Sequence, residues 1–109
     1  MDIQPFRRPD WEPLPHEGCR GVDHKVLVAQ VNFALALLRF APNAPIHEHP
    51  AAWPIDVYCL DGSGKFSLAG QAASIRAGQR VRWPPNVAHR LWTEDATMTT
   101  LMVENPPHP

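Results

Sequence analysis

The chain has 109 residues, of which 44% are apolar, and its formal net charge is −1 at pH 7. This length fits one domain, and the apolar share is enough to fill one core. A near-neutral charge lacks the basic excess that is typical of nucleic-acid-binding proteins. No apolar run approaches the roughly 18 residues of a membrane span. We therefore expect one globular domain with neither nucleic acid nor a membrane as its partner.

The N-terminus and the two cysteines indicate the compartment. The first five residues, MDIQP, lack the basic start and apolar run of a secretory signal. We therefore expect a cytoplasmic protein in which Cys19 and Cys59 are reduced thiols. Neither cysteine lies in a CxxC arrangement, so the sequence does not support a thiol-redox or zinc-ribbon protein.

Thirteen prolines limit the room for helices, because proline interrupts helices and the middle of sheets. Only residues 25–41 form a long proline-free apolar segment, and their alanines and leucines favour a helix by propensity. However, Asn32 divides the segment into two runs of strand length, and the valines of the first run favour β-structure. We predict two strands, of which the second, over residues 33–40, is apolar on both faces and is a candidate subunit contact.

Downstream of this segment, short apolar runs alternate with turn signals such as Asp61-Gly62-Ser63-Gly64. Many short strands with regular turns predict an all-β antiparallel sandwich or barrel. We divide the chain into a proline-rich arm over residues 1–24 that packs on the barrel, the barrel over residues 25–104, and a tail over residues 105–109.

Three histidines are candidate metal ligands. His47 and His49 are two residues apart, and residues i and i+2 of a strand point to the same face. Their imidazoles would therefore lie side by side, as a divalent metal requires, and neutral imidazole suits Zn, Cu, Fe and Ni. His89 follows a Pro-Pro-Asn turn and is the third candidate. The alternative is that these histidines bind only one another or water. The remaining histidines, His16, His24 and His108, are expected on the surface.

Two segments together resemble the motifs of the cupin superfamily: APNAPIHEHPAAWPIDVYCLDG and GQRVRWPPNVAHRLWT. In the second segment, Gly78, Pro84 and His89 match the family pattern, whereas Asn86 and Thr93 replace a glycine and an asparagine. The resemblance extends over residues 25–104, nearly all of the chain. It implies a small single-domain, conserved-barrel cupin, whose fold is the double-stranded β-helix, a jelly-roll barrel.

The resemblance places the metal ligands at His47, His49 and His89. Three protein ligands with an open position are typical of a catalytic zinc. The family's glutamate ligand has no counterpart in this sequence, and its loss favours Zn, Ni or Cu over harder ions such as Mn. The cofactor is therefore predicted to be a divalent transition metal, Zn, Ni, Fe or Cu.

The place of the missing glutamate is ambiguous. Counting back from Gly62 puts it at Ile55, whereas counting forward from His49 puts it at Pro54. This one-residue difference predicts a β-bulge between His49 and Gly62. Asp56 is the nearest carboxylate and would become a ligand only if such a bulge turned it inward, since simple alternation points it away from the interior.

The same alternation predicts an apolar wall for a small-molecule pocket, formed by Val57, Cys59 and Leu91. Trp53 follows the first two histidines, and it either covers the mouth of the barrel or anchors its own loop. Such a wall suits a small organic ligand.

Three functions are compatible with this sequence. One is a metal-dependent enzyme of the dioxygenase, isomerase or lyase type, as the resemblance implies, with the metal acting as a Lewis acid or oxygen-activating centre. The second is a non-catalytic cupin that binds or senses a ligand or a metal. The third is a structural barrel with incidental histidines. The sequence identifies no catalytic acid or base. We expect a homodimer, because the doubly apolar strand and the arm need covering.

Overall fold

The computed structural model describes residues 1–6 and 8–106, so His108 and the last three residues of the predicted tail lie outside it. Within the described residues the chain forms β-strands and no helix, which confirms the predicted all-β class. The described residues therefore include no helix that is long and apolar enough to span a membrane. The strands are β1 Glu12–Pro13, β2 Val22–Gln30, β3 Phe33–Phe40, β4 Pro45–His49, β5 Ile55–Leu68, β6 Gln71–Arg76, β7 Arg80–Trp83, β8 His89–Trp92 and β9 Met98–Glu104.

All strand pairs are antiparallel, and they form two sheets that share β5. The first sheet has the order β1-β2-β3-β9-β5-β7 and uses residues 55–62 of β5. The second has the order β4-β8-β5-β6 and uses residues 63–68 of the same strand. Because one long strand passes from one sheet to the other, the two sheets curl around a common interior. This is the predicted double-stranded β-helix.

The segment with mixed helix and strand signals forms β2 and β3, which confirms the prediction of two strands. They pair as a hairpin in which Gln30 lies opposite Phe33, so Val31 and Asn32 make the turn. β3 also pairs with β9 along its other edge. Hydrogen bonds and packing on both sides therefore outweigh the helix propensity of its alanines and leucines.

The bulge predicted before Gly62 is present in β5. The pairing of β5 with β9 shifts by one residue between Cys59 and Asp61. Gly62 then has a φ of 74°, and a Cβ placed on it would lie 1.9 Å from the carbonyl oxygen of Thr97. A larger residue therefore cannot fit at the point where β5 changes sheets without moving the backbone of the loop before β9.

We predict that Gly62→Ala lowers the free energy of unfolding by about 3 kcal/mol, since a positive φ costs roughly 1–2 kcal/mol and overpacking a further 1–3 kcal/mol. Gly70→Ala is the matched control, because its φ is 79° and nothing lies within 4 Å of an added Cβ. It carries only the first cost. Urea unfolding of both variants measures the difference, and equal losses would contradict the close approach at Gly62.

Candidate metal centre

The pairing of β4 with β8 brings the predicted histidines together. His49 lies directly opposite His89 in the register of the two strands. Their ring centroids are 4.6 Å apart, and the ring of His47 is 5.1 Å from that of His49. The three imidazoles thus form one series of neighbouring rings at one end of the β4–β8 pair.

A second bulge, in β4, sets the orientation of His47. The register slips by one residue between Ile46 and His49. Ile46 is buried and His49 is half-buried, whereas His47 is exposed. Its Nδ1 lies 3.9 Å from the Sγ of Cys19. Strict alternation would give the two imidazoles equal burial, and the bulge is the reason why they differ.

His89 is the most deeply buried of the three, with 1% of its surface exposed. Its Nδ1 lies 3.2 Å from the carbonyl oxygen of Val87 and donates a hydrogen bond to it. Its ring stacks on Trp83 with a centroid distance of 3.9 Å. Among the described residues, nothing accepts from or donates to its Nε2. Burial, with a smaller contribution from neighbouring His49, lowers the pKa of His89 to about 4. The ring is therefore neutral near pH 7, with a free lone pair on Nε2.

The other ring of the facing pair is held in the same way. His49 Nδ1 donates to the carbonyl oxygen of His47 over 2.9 Å. A backbone carbonyl on one ring nitrogen fixes the ring and leaves the other nitrogen to bind a metal, which is the usual support for histidine ligands. The donor set of His49 and His89 therefore fits a divalent metal.

His47 is the member that stands apart. Across residues 1–6 and 8–106, no three His, Cys, Asp or Glu side chains stand in metal-coordinating geometry. The side chain of His47 is exposed and lies against Gly18 and Cys19 of the arm.

A cavity of about 310 Å³ lies beside these rings, between the two sheets. Its wall is mostly apolar. The lining residues are Leu14, Pro15, His16, His24, Val26, Ala36, Leu38, Ile46, His49, Ile55, Trp83, His89, Met102 and Glu104. His49 and His89 are the two candidate ligands that line this cavity, whereas His47 does not line it.

A family model described as a cupin domain matches residues 36–104, which include all three histidines and more than half of the chain. This protein belongs to the cupin family. The two sequence motifs therefore identified the family correctly. No curated protein matches the sequence.

Solved structures support the same fold. The polyketide cyclase RemF from Streptomyces resistomycificus aligns with a TM-score of 0.86 and 21% identity, over 99% of this chain and 82% of that one. A cupin-2 domain from Rhodospirillum rubrum aligns with a TM-score of 0.81 and 17% identity, over 100% and 79%. A cupin 2 conserved barrel domain protein from Leptotrichia buccalis aligns with a TM-score of 0.76 and 25% identity, over 84% and 43%.

Of the two positions predicted for the missing glutamate, Ile55 lines the cavity and Pro54 does not. Ile55 is the first residue of β5 and lines the cavity together with His49 and His89. Pro54 precedes the strand and does not line the cavity. Ile55, one of the two positions at which the family resemblance places a carboxylate, is therefore an apolar residue of the same cavity as His49 and His89.

Asp56 is directed away from these rings. Its two carboxylate oxygens accept hydrogen bonds from Arg80, at 3.0 Å, and from Arg82, at 3.1 Å. The bulge in β5 lies beyond Asp56, between Cys59 and Asp61, so it does not turn this carboxylate inward. We therefore leave Asp56 out of the proposed ligand set.

The residues predicted for the pocket wall lie elsewhere in the cupin. Val57, Cys59 and Leu91 are buried in the packed core and do not line the cavity. Burial raises the pKa of the Cys59 thiol, which keeps it neutral. Trp53 is half-buried, and its Nε1 donates to Glu104 over 3.0 Å. It therefore anchors a carboxylate of the wall rather than covering the cavity itself.

Thr93 stands where the family pattern has an asparagine, and it positions β4. Its hydroxyl accepts a hydrogen bond from the backbone N–H of Ala44 at 3.0 Å and donates to the carbonyl oxygen of Ala41. Its own N–H donates to the carbonyl oxygen of Ala44. A threonine thus holds the start of the strand that carries His47 and His49.

Sequence reasoning did not identify four polar or aromatic residues of the cavity: His16, His24, Trp83 and Glu104. The sequence did carry a signal for His24. It is two residues from Val26 in β2, so the two side chains share a face of the strand, and both line the cavity. For Glu104 there was no signal, because its role depends on Trp53, which is 51 residues away in the chain.

Proposed function

We propose that this cupin holds a divalent transition metal on His47, His49 and His89 and acts on a small, uncharged organic molecule in the adjoining cavity. The observation that carries the proposal is the free Nε2 of His89, which is buried and lies next to His49. A buried polar atom without a partner costs about 1–3 kcal/mol. A metal ion bound there would remove this cost.

The donor set points to the class of metal. Three neutral imidazoles and no carboxylate suit Zn, Ni, Cu or Fe better than Mn or Mg, which prefer oxygen ligands. When bound, such a metal supplies Lewis-acid polarisation of a ligand oxygen, or an oxygen-activating centre.

The protein's own residues supply the surroundings of the reaction. Ile46, Ile55 and Met102 give the cavity an apolar wall that limits the access of water. Glu104 lines the same cavity, and Trp53 donates a hydrogen bond to its carboxylate. This carboxylate is our candidate for the group that accepts a proton from the bound molecule. These features support a metal-dependent enzyme of the dioxygenase, isomerase or lyase type. The name of the structural neighbour RemF, a polyketide cyclase, adds ring closure to the reactions worth assaying.

Elemental analysis tests the metal centre. We expect purified protein to carry about one Zn, Ni, Fe or Cu per chain and His49→Ala to lose it, because one of two fixed ligands is gone. His16→Ala is the matched control, since this histidine lines the cavity outside the ligand set, and it should retain the metal. Equal and negligible metal in wild type and His49→Ala would contradict the proposal.

The same samples separate an enzyme from a binding protein. We would measure turnover, including oxygen consumption, on a panel of small phenols and diketones. Activity that is present in wild type and His16→Ala but absent in His49→Ala supports the enzyme. No turnover by fully metal-loaded wild type on any compound favours the non-catalytic binding or sensing cupin.

Ile55 offers a direct test of the missing carboxylate. We predict that Ile55→Glu places a fourth, anionic ligand beside the imidazoles and raises the affinity for Mn²⁺ by tenfold or more, because carboxylate suits that ion. Ile55→Gln has the same shape without the charge and should leave Mn²⁺ binding weak. Titration of metal-free protein, followed by calorimetry, compares them. Equal Mn²⁺ affinities in the two variants would show that residue 55 does not face the metal.

We also propose that the protein is a homodimer through the outer face of the first sheet. Ala36 and Leu38 of β3 line the cavity, so Leu35 and Leu37 point outward. In the register they lie beside Val103 and Leu101 of β9, and all four are only half-buried. This apolar patch at the centre of a sheet is the type of surface that a second copy covers.

Sedimentation equilibrium tests this dimer. We expect a mass of about twice 12.2 kDa for wild type and a monomer for Leu37→Glu, whose charge would lie in the middle of the contact. Lys65→Glu, outside the patch, is the control and should sediment as wild type. A monomeric wild type would contradict the proposal.

The cytoplasm remains the proposed location. Cys19 and Cys59 are both free thiols, which agrees with a reducing compartment.

A further inference from the structure

A fourth imidazole of the cavity, that of His24, has no role in the metal centre. His24 lies on β2 in the first sheet, between Glu12 of β1 and Leu38 of β3. The metal-binding pair His49 and His89 belongs to the second sheet. Imidazoles from both sheets therefore line the cavity.

The backbone of β1 determines which nitrogen of His24 is free. Nδ1 of His24 lies 3.0 Å from the carbonyl oxygen of Glu12. A carbonyl oxygen only accepts, so in the neutral ring Nδ1 carries the hydrogen and Nε2 carries a lone pair. Within the described part of the chain Nε2 makes no hydrogen bond. The wall of the cavity thus contains a fixed acceptor of hydrogen bonds.

The arm that supplies Glu12 is anchored on the same sheet. Trp11 lies between the side chains of Lys25 and Arg39, which are 4.9 Å and 4.4 Å from its ring centroid. The N–H of Leu14 donates to the carbonyl oxygen of Val22 over 2.9 Å. The carbonyl of Glu12 is therefore held in place, and with it the ring of His24.

The rest of the wall defines the charge of the ligand. None of the described lining residues is a lysine or an arginine, and one of them, Glu104, is a carboxylate. The described wall therefore offers no Lys or Arg side chain to pair with a phosphate or carboxylate, and Glu104 adds a carboxylate of its own. The wall suits an uncharged, largely apolar molecule.

We infer that His24 accepts a hydrogen bond from a ligand hydroxyl, and that the ligand is an uncharged, mostly apolar molecule that carries this hydroxyl. A lone-pair acceptor selects such a group over an ether or a ketone, which have no hydrogen to donate. The hydroxyl lies on the β2 side of the cavity, opposite His49 and His89. This inference rests on the ligand-binding part of the proposed function and is independent of its metal.

Two model compounds test the inference: 2-naphthol, which carries the hydroxyl, and 2-methoxynaphthalene, its methyl ether. Their dissociation constants would be measured by calorimetry on purified protein. We expect wild type to bind 2-naphthol about tenfold more tightly, the ratio that one hydrogen bond provides. The metal content of the same samples is measured in parallel.

Two variants separate the two ring nitrogens. In His24→Asn the side-chain nitrogen lies near the position of Nδ1, so the bond to Glu12 is kept and the cavity acceptor is lost. In His24→Gln the amide lies near the position of Nε2, so an acceptor is kept. We expect the hydroxyl preference to fall to less than twofold in His24→Asn and to stay at about threefold or more in His24→Gln. Thermal unfolding checks that both variants fold.

The outcomes distinguish this inference from the proposed function. Equal binding of both compounds by wild type, or a full hydroxyl preference in His24→Asn, overturns the inference. Loss of the preference in both variants also overturns it, since that indicates a structural role alone. If neither compound binds wild type, the ligand-binding part of the proposed function fails as well. If the purified protein carries no metal and still prefers the hydroxyl compound, the inference is supported and the metal centre is contradicted.

Discussion

The arrangement of the cavity depends on the pairing of β4 with β8, which places His49 opposite His89 at the end of two short strands. Two backbone carbonyls, of His47 and Val87, take the Nδ1 hydrogens of these rings. Within residues 1–6 and 8–106, the Nε2 atoms of both rings make no hydrogen bond. The stack of Trp83 on His89 fixes the deeper ring. Once these contacts exist, His49 and His89 both line a mostly apolar cavity, and the remaining features act on that cavity.

The sheets that hold this pair follow from local signals in the sequence. Proline and glycine turns separated the strands, and the alternation of residues gave Val57 and Cys59 their inward orientation, as their burial shows. Asn86, which replaces the glycine of the family pattern, has a φ of 62°, a conformation that asparagine tolerates. The bulge before Gly62 could also be predicted, because the two ways of counting along the motif differed by one residue. These features were predictable because each one depends on a few neighbouring residues.

The cavity was harder to predict, because alternation says which side chains point inward but not which of the inward ones meet a space. Cys59 and Leu91 point inward and are packed in the core, whereas Ile55 and Trp83 point inward and line the cavity. The difference depends on how far the two sheets separate along their length. The bulge in β4, which leaves His47 exposed, likewise depends on pairing with β8 and has no signal in the five residues of the strand itself.

The proline-rich arm contacts the first sheet, the cavity and His47. Its Trp11 is held between two cations of the first sheet, its Glu12 carbonyl orients His24, and its Leu14 lines the cavity. Gly18 passes so close to His47 that an added Cβ would lie 2.7 Å from that residue's Cβ. The arm therefore lines the cavity with Leu14, Pro15 and His16 and packs against His47, although composition alone indicated only an extension with many prolines.

The central claim is that the three histidines hold one metal. A crystal structure with anomalous diffraction recorded at the absorption edge of the bound element tests it most directly. We expect one strong peak within about 2.0–2.2 Å of a nitrogen of each of His47, His49 and His89, with Ile55 not bonded to it. If crystals grown with Zn²⁺ show no peak at these rings, or a peak that is not within bonding distance of His89, the three histidines do not hold one metal.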